Sequence, residues 1–102
     1  MFILCVYVPE THVNEVKEAI FAYGGGKLGD YEGCAWQTKG VGQFTPLEGS
    51  DPYLGQRGRL QTVIEVKLEV IVAESKINAV IEAIKRSHPY EEPAYHYMQV
   101  NC

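Results

Sequence analysis

Leu60, Thr62, Ile64, Val66, Leu68, Val70 and Val72 alternate with Gln61, Glu65, Lys67 and Glu69. A period of two over 60–72 predicts a long strand with one face on a core and one largely polar face. Phe2 to Val8, rich in β-branched and aromatic residues, predicts a first strand. Val13, Val16, Ile20 and Tyr23 follow at helical spacing, with Glu15, Lys17 and Glu18 turned outward. Pro9 suits the entry of that helix, Thr11 or Glu10 can cap it, and Gly24-Gly25-Gly26 ends it. Tyr31 to Thr38 reads as a second strand. Lys39 to Arg59, with five glycines and two prolines, reads as a loop too long for a plain hairpin connection. Ile77, Val80, Ile81 and Ile84 form one stripe of a second helix, capped by Ser75 and stopped by Pro89. Pro93 to Val100 supplies the last strand.

The order β-α-β-β-α-β belongs to the α+β class and predicts a ferredoxin-like βαββαβ domain: an antiparallel sheet with two helices on one face. At 102 residues the chain is expected to form a single domain, 1–102. The other face of the sheet is left uncovered. Val63, Ile71 and the tyrosines of the last strand are expected on it, and such a face often becomes a subunit interface.

Composition narrows the partners. The hydrophobic share of 46% and charged share of 22% are those of a globular protein. Net charge is −4, and the nine basic residues are scattered, which disfavours nucleic acid and acidic membranes, both of which need concentrated basic surface. Met1 to Val8 is apolar but lacks a basic leader and falls far short of a membrane span. A buried first strand explains it better, and a cytoplasmic protein is expected. Cys5, Cys34 and Cys102, odd in number and without a CxxC pair, read as packing cysteines in a reducing compartment.

Gly24, Gly26 and Gly29 satisfy G-x-G-x-x-G, yet they follow a helix and lead into a strand, the reverse of a dinucleotide site. Their backbone amides remain a candidate anion nest. His88, Glu91, Glu92 and His96 hold imidazole and carboxylate side chains within nine residues, a mixture that suits zinc, copper or nickel. The alternative places His88 as a helix C-terminal cap with its carboxylate neighbours solvated. No Ser-His-Asp order, nucleophile elbow or HExxH occurs, and no catalytic residue is assigned.

Three blocks carry a family resemblance: Gly24 to Cys34, Gly40 to Gly49, and His88-Pro89-Tyr90-Glu91-Glu92-Pro93-Ala94-Tyr95. Together and in this order they resemble the insert domain of the Nif-three-like proteins, and the chain looks like a free-standing, YqfO-type version of it. That resemblance implies the fold of CutA and PII signalling proteins, units that commonly form trimers. The CutA proteins share a His-Pro-Tyr-Glu-x-Pro segment but lack the glycine blocks. Full Nif-three-like proteins bind two metal ions in a flanking domain, for which this chain has neither room nor histidine motifs, so hydrolase labels are not carried over.

The expectation is therefore a non-enzymatic, homo-oligomeric (trimeric or dimeric) binding or regulatory module for a small molecule, anion or metal, with a small-molecule or protein partner. Its ligand-binding candidates are Gly26, Lys27, Gly29, Tyr31, Gly42, Phe44, Glu48, His88, Tyr90 and Glu91. The alternative is a CutA-like protein binding a divalent metal ion through His88, Glu92 and His96. A metal-dependent hydrolase has no motif to support it.

Overall fold

A computed structural model describes all 102 residues. The strands are β1 (Phe2–Pro9), β2 (Trp36–Phe44), β3 (Gln61–Val72) and β4 (Tyr95–Gln99); the helices are α1 (Val13–Ala22) and α2 (Ile77–Ser87). They form one antiparallel sheet in the order β2-β3-β1-β4. Period-two patterning places Leu4, Val6 and Val8 of β1 and Val66, Leu68, Val70 and Val72 of β3 on one face. Val13, Val16 and Ile20 of α1 and Ile77, Val80, Ile81 and Ile84 of α2 close over them in a single hydrophobic cluster. The βαββαβ order and the two helices on one face are as the sequence predicts.

Several local expectations are corrected. Neither helix has a side-chain cap: short 3-10 turns, Glu10–His12 and Glu74–Lys76, lead into them instead. The second strand starts at Trp36 rather than Tyr31, because Tyr31 closes a tight turn whose backbone exchanges hydrogen bonds with Leu28. It then runs on through Gly40 and Gly42, residues that composition assigns to a loop. As an edge strand, β2 tolerates them, and the true loop is shortened to 45–60. The last strand faces the opposite way from the expectation. Tyr97 pairs with Leu4 and meets Phe2 edge to face at 5.3 Å, and Tyr95 packs against the core, so both lie on the helix side. His96 and Met98, not the tyrosines, lie on the open face.

The core does not extend under the whole of β3. Inward-facing Ile64 and its cross-strand neighbour Val41 are exposed, 41% and 71%. The β2–β3 pair thus projects beyond the helices as a two-stranded arm, in a molecule measuring 47 × 24 × 23 Å.

At the far end of the sheet the α1 exit is built on glycine. Gly26 has φ +78°, and an added Cβ would lie 2.8 Å from Phe21 and 2.9 Å from the Cys34 carbonyl; Gly29, at φ +57°, has open space around it. Both positions strain an L-residue, and only the first also collides with packed atoms. Gly29→Ala is expected to cost about 1 kcal/mol and Gly26→Ala at least about 2 kcal/mol. Urea unfolding of the two variants checks the order.

Candidate functional site

The segment His88 to Pro93 leaves α2 because Pro89 cannot continue a helix. The His88 N–H still donates to the Ile84 carbonyl, so it is the backbone of His88 that closes the helix. Its ring is buried beneath the sheet, with Nε2 2.7 Å from the Tyr7 carbonyl oxygen and Nδ1 accepting the Tyr90 N–H at 3.1 Å. Nδ1 as acceptor makes Nε2 the protonated nitrogen, donating to Tyr7: a neutral imidazole in one tautomer. Burial lowers its pKa below the ordinary 6.5, and nearby His12 adds to this, against the raising effect of the Tyr7 hydrogen bond. The cationic helix cap expected from the sequence is corrected to a neutral, doubly hydrogen-bonded side chain.

Tyr90 is thereby fixed in position. Its hydroxyl donates to Glu65 Oε2 at 3.0 Å, and its ring meets Phe44 at 5.6 Å and Tyr53 at 6.4 Å between centroids. Burial first, and then the bond to Glu65, drive the phenol pKa far above its usual value of 10, so Tyr90 stays protonated. Glu65 has space because β2 offers no side chain at Gly42, where a Cβ would collide with the carboxylate. Glu91 accepts the Asp51 N–H at 3.0 Å and ties the turn to loop 45–60. Within that loop the Gly58 N–H donates to the Pro46 carbonyl at 2.8 Å, and Arg57 donates to the Ser50 carbonyl.

These contacts leave a cavity of about 260 Å³ between the loop, the outer part of the arm and the turn. Phe44, Tyr53 and Tyr90 supply its aromatic surface, and Glu65, Glu91 and Glu92 its charge; no lysine, arginine or histidine lines it. A second depression lies on the open sheet face over Gly40 and Gly42, between Tyr7, Lys39, Lys67 and Glu69, and Glu65 borders both. On the same face buried Cys5 contacts Glu69, and its thiol pKa is raised by burial and by that carboxylate. All three cysteines are free.

The structure divides the predicted site residues. Phe44, Tyr90 and Glu91 line the cavity, with Gly42 and His88 supporting it from behind. Glu48 is exposed on the loop outside it. Gly26, Lys27, Gly29 and Tyr31 lie at the other end of the sheet, where the Gly26 N–H donates to Ile71. Ile71 and Glu65 are six residue steps apart along β3, roughly 20 Å. Of the anion-nest amides, those of Gly24 and Gly26 donate to protein carbonyls, as does that of Gly25 between them. The set His88, Glu92 and His96 does not converge: His88 has both ring nitrogens engaged, His96 stacks near Tyr7 on the open face, and no three His, Cys, Asp or Glu side chains group to hold a metal. Tyr53, Ser50 and Glu65 also line the cavity, and the sequence reading does not single them out. The alternation along β3 places Glu65 on the open face, but nothing in the sequence brings it to Tyr90.

No protein-family model matches the chain. Over 95 residues it is 46% identical to a Halalkalibacterium halodurans protein named GTP cyclohydrolase 1 type 2 homolog, spanning 93% of this chain and 26% of that one. A solved Bacillus cereus protein related to NIF3 matches 99% of this chain at 37% identity with a TM-score of 0.85, and again the chain covers 26% of it. The PII-like protein CutA of a Nostoc species matches with a TM-score of 0.64 at 21% identity, covering 99% of this chain and 82% of that one. The chain is thus similar to one segment, about a quarter, of NIF3-related proteins, and that segment has the CutA-like, PII-like fold. No helix is long and apolar enough to cross a membrane.

His88 carries a pH prediction. Its folded pKa is depressed, so the unfolded chain binds the extra proton more readily as pH falls. Its contribution is complete above 6.5 and is lost as pH drops below that value. Stability in urea is expected to decline between pH 7 and 5. In His88→Ala that part of the slope disappears, and overall stability falls by about 2–4 kcal/mol as the Tyr7 carbonyl and Tyr90 N–H lose their partner.

Proposed function

We propose that this chain is a binding or regulatory module without enzymatic activity of its own, which holds a small ligand in the cavity between loop 45–60 and the His88–Pro93 turn. The observation that carries this reading is the convergence of Phe44, Tyr53 and Tyr90 on one concave surface bordered by Glu65 and Glu91. Small-molecule sites are typically concave, largely apolar and given a few well-placed polar groups. At about 260 Å³ the cavity suits a small metabolite or one end of a larger one. The lining offers carboxylates and phenols but no paired nucleophile and base. The Ser50 hydroxyl is spent on the Leu47 carbonyl.

The activity in the relatives' name belongs to proteins of which this chain spans about a quarter, and it is not the function proposed for this segment. Assembly is part of the reading. Half-buried Ile3 and Ile71, with exposed Met98 and Trp36, give the open sheet face an apolar surface that a second copy of the chain would cover.

Binding that favours the folded state raises its stability by about 2.7 kcal/mol at a hundred times Kd, which moves the unfolding midpoint by roughly 10 °C or more in a domain this small. A metabolite panel read by thermal shift is expected to contain such a ligand, and Tyr53→Ala is expected to abolish its effect. A panel with no stabiliser, or a stabiliser indifferent to Tyr53→Ala, defeats the assignment. Sedimentation of the chain as a monomer at micromolar concentration defeats the assembly.

A further inference from the structure

We infer that the ligand of this cavity is a small organic cation, carrying an ammonium or guanidinium group. The inference rests on the cavity being the binding site proposed above and names the chemistry it selects.

Two independent features of the lining point the same way. The first is aromatic. Tyr90 stands with Phe44 at 62° and with Tyr53 at 50°, so the three rings present differently inclined surfaces to one space rather than a single stacking slot. A ring face attracts a positive charge within about 6 Å of its centre, and several inclined rings surround a compact cation better than a flat neutral molecule. The second is electrostatic. Glu65, Glu91 and Glu92 border the space, and no basic side chain does. Outside it, the Arg57 guanidinium donates to the Ser50 carbonyl, Lys39 pairs with Glu10 at 3.2 Å, and the His12 ring meets the Tyr53 ring edge to face at 5.6 Å. An anion entering the cavity would meet uncompensated carboxylates, whereas a cation would find partners that are already placed.

The placement is preorganised. Glu65 is held by the Tyr90 hydroxyl, and Glu91 by the Asp51 amide, so each keeps remaining acceptor capacity without having to find its position. A net charge of −4 adds a favourable field for a positive ligand.

The test uses three probes of similar shape and different charge: benzylammonium, benzyl alcohol and benzoate, with tetramethylammonium as a cation lacking N–H donors. Amide resonances of Asp51, Tyr53 and Tyr90 in the full chain are followed during titration at low salt. Benzylammonium is expected to shift them saturably, with an apparent Kd at least about ten-fold below that of benzyl alcohol, and benzoate is expected to leave them unmoved. Glu65→Gln or Glu91→Gln should weaken benzylammonium by about ten-fold and leave benzyl alcohol unchanged. If benzyl alcohol or benzoate binds as tightly as the cation, or if the glutamine variants weaken every probe equally, the cation assignment falls while the binding site stands. If no probe of any charge moves these amides, and the metabolite panel is also silent, both fall.

Discussion

Everything around the cavity is referred to one buried imidazole. His88 has a single donor and a single acceptor in its neutral form, and both are spent on backbone: the Tyr7 carbonyl in β1 and the Tyr90 N–H in the turn. A neutral ring in this position has no spare lone pair and no choice of tautomer. It therefore fixes where the chain goes after α2, and Tyr90, Glu65, Phe44 and Tyr53 follow in sequence from that decision. The two prolines flanking the turn remove backbone freedom that would otherwise oppose this order.

The opposite constraint, an absence of atoms, acts on the arm. Gly42 removes a side chain where the Glu65 carboxylate lies, and Gly40 leaves the adjoining open face shallow. Glycine in a strand interior is unfavourable in itself. Here it allows a charged side chain to lie flat on its own sheet, where it can accept the Tyr90 hydroxyl while bordering two depressions at once.

The fold was legible in the sequence because its core elements are strictly periodic. Val66, Leu68, Val70 and Val72 and the stripe Ile77, Val80, Ile81 and Ile84 each declare one buried face, and these faces make the core. The second strand is hidden in the sequence because its glycines carry the composition of a loop, and edge strands give the weakest apolar signal. The facing of the β4 tyrosines is not encoded in the sequence, since both faces of that strand hold amphipathic residues. The candidate site was legible only in its local part. Tyr90 and Glu91 sit in a conspicuous segment, and Phe44 in a glycine-flanked one. Their meeting with Tyr53 and Glu65 depends on hydrogen bonds between residues 25 to 40 positions apart, which no period along the chain encodes. The metal set failed for the same reason in reverse: proximity in sequence is not proximity of free donor atoms.

The β2–β3 arm leaves the helical layer near Val66 and runs to the pairing of Phe44 with Gln61, roughly 17 Å farther. A ribbon held only at its root would swing as a lever, but the bonds from the Tyr90 hydroxyl to Glu65 and from the Asp51 N–H to Glu91 pin this one to the body at a second place. Phe44 lies at its far end and Tyr90 on the body, so these two bonds hold the separation of 5.6 Å between the two rings.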